Sequence, residues 1–230
     1  MAVHSRERPS ETDRTTSNEP SSTTSGVIVA GGFSERFGDQ EKALVPVDGK
    51  PMLARVGNAV APAVDELVIN CRAEQRPAFE RALEQSGPAL ALEVRFALDR
   101  SDERDQGPVA GLRRGLEAVS GTTAVAVPCD LALLEAEFVA QLVGEYDRVT
   151  DTDAVVPYAD DYSQLLCAVY DVAATQIACE RVLETERRRL FDVLDHLAVT
   201  TIDDVESWTD PRRLRAIDTP DALAACRDEY

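Results

Sequence analysis

The sequence predicts an α/β fold, a single three-layer domain with a mostly parallel sheet and helices on both faces. Three observations carry this prediction. Short β-branched runs alternate with amphipathic stretches at least four times before residue 150. The predicted strands include near-continuous apolar runs, as strands covered on both faces do. Glycines or short polar residues also follow successive strands, at the carboxyl rim where open parallel sheets bind ligands.

The elements are expected in this order. "GVIVA" (26–30) is a strand ending on glycines, and "PMLARVGNAVAP" (51–62) is a helix with Pro51 in its first turn. "ELVIN" (66–70) is a strand, and "RPAFERALEQS" (76–86) is a helix stopped by Gly87-Pro88. "LEVRFAL" (92–98) puts Leu92, Val94, Phe96 and Leu98 on one strand face. "GPVAGLRRGLEAV" (107–119) opens a helix at Pro108, and "TAVAVP" (123–128) is a buried strand. "LLEAEFVAQLVGEY" (133–146) is an amphipathic helix through Leu134, Phe138 and Leu142. "DAVVP" (153–157) and "LLCAVY" (165–170) are strands, followed by helices over 172–184 and 186–197. "RLRAI" (213–217) reads as a last strand before a helix capped by Thr219 with Pro220 in first position.

Length and composition set bounds. A chain of 230 residues is enough for one well-packed domain or two small ones. Residues 1–25 hold eleven Ser or Thr and little that could be buried, so they are expected to be a disordered tail, with the folded domain over 26–230. The net charge of −18 repels nucleic acid backbones and anionic membranes, so neither is an expected partner. Either a cytosol of very high salt or a basic partner protein accounts for such acidity. Lysine scarcity favours the first, because only Lys42 and Lys50 occur in the whole chain. The five cysteines are scattered without a C-x-x-C pair, which argues against a zinc site or a disulfide framework. No apolar run reaches 18 residues, and a soluble, cytoplasmic protein is expected.

Chemistry concentrates at the predicted strand ends. The first delivers Gly31, Gly32 and a loop to Lys42; the others deliver Asn70, Asp99, Asp130 and Asp218. Each residue alone is an ordinary turn former. Their coincidence on one rim makes a ligand site the better reading. Glycines let successive N–H groups converge on phosphate oxygens, and Arg36 and Lys42 add two cations. Neither G-x-x-x-x-G-K-[ST] nor G-x-G-x-x-G is present. A polyphosphate facing carboxylates implies a divalent metal, with Mg²⁺ expected on Asp130 and Asp218 as second candidate ligand.

These residues bear a resemblance. "VAGGFSERFG…EKALVPVDGKPML" resembles the L-A-G-G-x-S-x-R-M-G-x-x-K signature of the molybdenum cofactor guanylyltransferases, nucleotidyltransferases of Rossmann-like fold. The likeness continues through "VIN" (68–70), "LD" (98–99), "GPVAGL" (107–112), "PCD" (128–130) and "AIDTPDAL" (216–223). It implies nucleotide contacts from Val29, Ala30, Gly31, Gly32, Lys42, Asn70, Asp99 and Asp130, with Mg²⁺ also on Asp130. It implies catalytic roles for Arg36, Lys42 and Asp130, and a pterin contact from Arg188 and Arg189 in the run 187–189. The chain departs from the pattern at Phe37, Ala132, Ala216 and Asp218, where the family carries Met, Pro, Asn and Asn.

The activity implied is GMP transfer from GTP to the terminal phosphate of molybdenum–molybdopterin, with molybdoenzymes or their chaperones as protein partners. Ala30-Gly31-Gly32 leans to guanine, since related cytidylyltransferases carry A-A-G there. A CTP-dependent enzyme, another phosphorylated acceptor such as a sugar phosphate, and a catalytically silent nucleotide-binding module are the alternatives.

Overall fold

The computed structural model describes residues 23–33, 35–38, 40–85, 92–100, 107–159 and 162–228. The chain opens with β1 (Thr24–Val29), a loop carrying two single 3₁₀ turns, and a small hairpin of β2 (Pro46–Val47) and β3 (Lys50–Pro51). Next come α1 (Met52–Val60), β4 (Glu66–Cys71), α2 (Arg76–Gln85), β5 (Glu93–Leu98), α3 (Pro108–Ala118), β6 (Thr123–Pro128) and α4 (Ala136–Tyr146). The second half holds β7 (Ala154–Ala159), β8 (Tyr162–Ser163), β9 (Ala168–Asp171), α5 (Val172–Leu183), α6 (Leu190–Leu194), β10 (Val199–Ile202) and α7 (Pro220–Asp228).

The main sheet runs β10-β7-β9-β6-β1-β4-β5, with β8 paired to β7. Neighbours are parallel except that β9 is antiparallel to both β6 and β7, and β8 is antiparallel to β7. β1 is central, and its side chains divide by period two. Ile28 joins the core on one face with Leu53, Leu67, Ile69, Val127 and Phe138. Val27 joins the opposite core with Leu112, Leu116, Ala126 and Val182. Burial on both faces explains why this strand reads as an unbroken apolar run. The expected α/β three-layer architecture is therefore present.

Several local expectations shift. β1 begins at Thr24, two residues ahead of the expected strand, and buries Ser25 completely. Residues 1–22, expected to be a disordered tail, lie outside the described residues, as do Gly87 and Pro88. "RLRAI" is not a strand. Asp210 caps a 3₁₀ turn over Pro211–Leu214 by accepting from the Arg212 N–H at 3.0 Å, and the chain then runs extended. The Ile217 N–H is taken by the Asp130 carbonyl at 3.0 Å, so no sheet ladder claims it. The helix expected over 186–197 contracts to Leu190–Leu194, preceded by bends in which Arg188 has φ +47°. Residues 195–197 form a turn, and β10 follows as a strand the sequence did not predict, with Val199 and Ile202 packing on the two cores.

At the end of the sheet remote from the glycine loop, one carboxylate ties three elements together. Glu66 accepts from the Ser25 hydroxyl at 2.7 Å and the Ser120 N–H at 2.5 Å, and pairs with Arg95. Burial alone would raise its pKa, but the hydrogen bonds from Ser120, Ser25 and Arg95 outweigh that and lower it from 4.5 to about 2. Because the folded value lies below the unfolded one, the stabilisation is complete above pH 4.5 and disappears as pH falls through about 2. Chemical denaturation at pH 7 should therefore find Glu66→Gln less stable by about 2 kcal/mol. The gap should close as the comparison moves into acid; a gap independent of pH would remove the charge from this account.

Candidate active site

The register of the central strands brings the rim together. Val29 pairs with Asn70 of β4 on one side and Pro128 of β6 on the other. Past the last pairs the ladder continues: the Ala30 N–H donates to Asn70 O at 2.9 Å and the Cys129 N–H to Val29 O at 3.1 Å. The Asp99 N–H donates to Cys71 O at 2.9 Å. Asn70, Asp99 and Asp130 thus leave the sheet beside the glycine loop, as their sequence positions predict. They open onto a cleft of about 600 Å³, within the range of small-molecule and nucleotide sites. Its walls are the segment from Val29 to Phe33 with Arg36 and Lys42, the start of α3 at Gly107–Gly111, and Pro128–Asp130 with Ala216 and Asp218.

The two halves of the cleft differ in chemistry. On the β4–β5 side, Asn70 Nδ2 donates to Asp99 Oδ1 at 2.7 Å and to Ala97 O at 3.2 Å. Asn70 Oδ1 is buried and, among the described residues, accepts nothing. An unused acceptor at that depth carries a desolvation cost that a ligand N–H can relieve. Space here is kept by glycines. A Cβ on Gly31 would lie 2.5 Å from Asp99 Oδ2, and one on Gly111 would lie 2.6 Å from Asn70 Oδ1.

On the β6 side the groups are charged. Lys42 Nζ contacts Asp130 Oδ2 at 2.6 Å, and Arg36 pairs with Asp218. Burial works against the Lys42 charge, yet the Asp130 carboxylate beside it outweighs burial and raises its pKa above 10.5. Lys42 therefore stays an ammonium at any neutral pH. Asp218 is held at the rim without a strand, because the Ile217–Asp130 hydrogen bond docks its segment against the end of β6.

The donor set suits Mg²⁺. Asp130 Oδ1 is buried and, among the described residues, has no hydrogen-bond partner, while Asp218 joins the same wall. No group of three or more His, Cys, Asp or Glu able to hold a metal occurs among the described residues. A hard cation that takes one or two carboxylates and completes its shell with phosphate and water fits two aspartates.

Arg188 and Arg189, expected at the pterin, lie on the exposed connection between α5 and α6 and not among the residues that line the cleft. Arg189 is paired with Asp192 at 2.6 Å. Arg72, Gln75 and Phe33, in contrast, escaped notice in the sequence. Arg72 donates to Gly31 O and Gly32 O, and its guanidinium lies 4.4 Å from the centre of the Phe33 ring. The available signal was a charged residue immediately after a buried strand, in "INCRAEQ".

A mostly parallel α/β sheet that gathers a glycine loop, one lysine and strand-end carboxylates around a nucleotide-sized cleft defines a nucleotidyltransferase of Rossmann-like fold. The family model for the MobA-like NTP transferase domain matches residues 26–201, and the chain belongs to that family. It is 40% identical over 178 residues to a protein of Haloferax mediterranei named probable molybdenum cofactor guanylyltransferase, covering 77% of this chain and 80% of the relative. A protein of the same name from Natronomonas pharaonis is 34% identical, covering 88% of this chain and 96% of the relative. Among solved structures, molybdopterin-guanine dinucleotide biosynthesis protein A of Archaeoglobus fulgidus superposes with a TM-score of 0.69 at 23% identity, over 90% of this chain and 97% of that one. That likeness supports the fold.

The reserved space at Gly111 is testable. Gly111→Ala puts a methyl 2.6 Å from Asn70 Oδ1 and 2.9 Å from Val29 Cγ1, and should cost roughly 1–3 kcal/mol. Adding Asn70→Ala should recover part of the loss, giving a favourable coupling in a double-mutant cycle. Strict additivity would show that the two positions do not meet.

Proposed function

We propose that this chain transfers GMP from GTP to the terminal phosphate of molybdenum–molybdopterin, yielding the guanine dinucleotide cofactor and pyrophosphate. The observation that carries the reading is the Lys42–Asp130 pair at 2.6 Å across the phosphate end of the cleft. It juxtaposes the cation a triphosphate needs with the carboxylate a divalent ion needs. The names of the Haloferax and Natronomonas relatives supply the substrates.

In the reaction an oxygen of the acceptor phosphate attacks the α-phosphorus of GTP. A new P–O bond forms there, and the bond to the β-phosphate oxygen breaks as pyrophosphate departs. The attacking oxygen is already anionic at neutral pH, so no general base is required. The protein's contribution is alignment and neutralisation of charge. Lys42 and Arg36 accompany the β- and γ-phosphates and stabilise the leaving group. Asp130, with Asp218, would hold Mg²⁺, which when bound supplies charge neutralisation at the phosphates.

The base would occupy the β4–β5 half of the cleft, with Val29, Ala30, Gly31 and Gly32 contacting the nucleotide through the backbone. Asn70 Oδ1 is an acceptor for an N–H of guanine. Glycine at residue 31 supports the larger base, because an alanine there would press on Asp99 Oδ2 at 2.5 Å. Acidic composition and haloarchaeal relatives support a cytoplasm of molar salt as the working medium, with the finished cofactor passed to molybdoenzymes or their chaperones. The tail outside the catalytic domain then ends before Thr24, where β1 begins.

Pyrophosphate release in molar KCl with Mg²⁺, each nucleoside triphosphate in turn and molybdenum–molybdopterin tests this. Turnover should be confined to GTP. Release with CTP instead would reassign the base, and release with a sugar phosphate but not the pterin would reassign the acceptor. Lys42→Ala should lower kcat/KM by roughly 10²–10³-fold. Lys42→Arg should not restore it, since a broad planar fork replaces a compact ammonium.

A further inference from the structure

The turn after β4 takes hold of three consecutive carbonyls of the glycine loop. Gln75 Nε2 donates to Ala30 O at 3.2 Å, and Arg72 Nη1 donates to Gly31 O at 2.6 Å and Gly32 O at 2.5 Å. The turn is itself braced, with the Arg72 N–H donating to Gln75 Oε1 at 2.7 Å and the Gln75 N–H to Arg72 O at 3.0 Å. Both side chains are buried, Arg72 at 8% and Gln75 at 4% exposure.

A trans peptide points its N–H opposite to its C=O. Three carbonyls captured on one side therefore aim the N–H groups of Gly31, Gly32 and Phe33 to the other, where these residues line the cleft. Among the described residues none of these three N–H groups meets an acceptor. The same guanidinium reaches the Glu41 carboxylate at 3.3 Å, next to Lys42, and lies against the Phe33 ring. One buried cation thus grips both ends of the segment that meets the phosphates.

We propose that Arg72, assisted by Gln75, is a positioning residue: it orients the amides of Gly31, Gly32 and Phe33 into an anion-binding nest for the nucleotide's phosphate chain. The proposal rests on the nucleotidyl-transfer reading above. Arg72 touches no substrate. It acts by fixing which face each loop peptide presents, a task for a planar guanidinium whose Nη1 serves both glycine carbonyls while its Nη2 holds Glu41, a span that the single ammonium of lysine cannot reproduce.

Isothermal titration in molar KCl with Mg²⁺ tests this on Arg72→Lys and Gln75→Met, using GTP, guanosine and inorganic pyrophosphate as probes. Arg72→Lys should weaken GTP and pyrophosphate by roughly tenfold and leave guanosine unchanged; Gln75→Met should do the same at about threefold. The phosphate-selective loss is what a merely structural brace would not produce. Equal weakening of GTP and guanosine, or unchanged GTP affinity, overturns the proposal whatever the melting temperature does. Should Arg72→Lys fail to fold, Gln75→Met carries the same comparison. A wild type that binds CTP but not GTP refutes the base assignment alone, and the same ratio is then read with CTP and cytidine. A wild type that binds no nucleoside triphosphate refutes nucleotidyl transfer, and the pyrophosphate titration then decides the role of Arg72.

Discussion

Everything in the site depends on the pairing of β1 on both of its edges. Its register sets Val29 opposite Asn70 and Pro128 at once, so the first residues beyond each strand must share one rim. A slip of one residue would exchange Val27 and Ile28 between two different cores and is excluded by burial on both faces. The hydrogen bonds Ala30–Asn70 and Cys129–Val29 extend that alignment past the strands, into the backbone that faces a ligand. α3 then settles close to this edge, because Gly111 and Gly115 bring no side chain to Asn70 and Val27.

An acidic protein with an anionic ligand presents an electrostatic problem that the cleft resolves locally. With a net charge of −18 the long-range field opposes a triphosphate. In the molar salt proposed above as its medium, that field would be screened within roughly 3 Å, and only direct contacts would matter. The site's positive groups are therefore held at contact distance, each against a carboxylate: Lys42 on Asp130, Arg36 on Asp218, Arg72 on Glu41. Such pairing keeps the cations in place before a ligand arrives and keeps Lys42 charged despite its burial. It also distinguishes the two halves of the cleft: ion pairs surround Asp130, whereas an amide–carboxylate contact joins Asn70 to Asp99.

The regular part of the molecule was legible because β1, β4 and β6 are each apolar and punctuated. "GVIVA", "ELVIN" and "TAVAVP" have one possible environment, a sheet covered on both sides, and each ends at or beside a residue of the binding rim. The irregular part was not legible. "RLRAI" has the composition of a strand, but the Asp210 cap and the Asp130 carbonyl claim its backbone first. The arginine run 187–189, to which the resemblance gives a pterin contact, lies on an exposed connection and is not among the residues that line the cleft.

The amino-acid sequence by itself determined the layered α/β architecture and the membership of the rim, Gly31, Lys42, Asn70, Asp99 and Asp130, because hydrophobic periodicity and turn chemistry are local properties of the chain. Only the tertiary structure decided what those residues face. Asp218 reaches the β6 side of the cleft through the hydrogen bond from the neighbouring Ile217 N–H to Asp130 O, and Arg72 meets Gly31 across 41 positions of sequence. Partnerships of that kind arise from strand register and from the need of buried polar atoms for partners, and no pattern along the chain encodes either one directly.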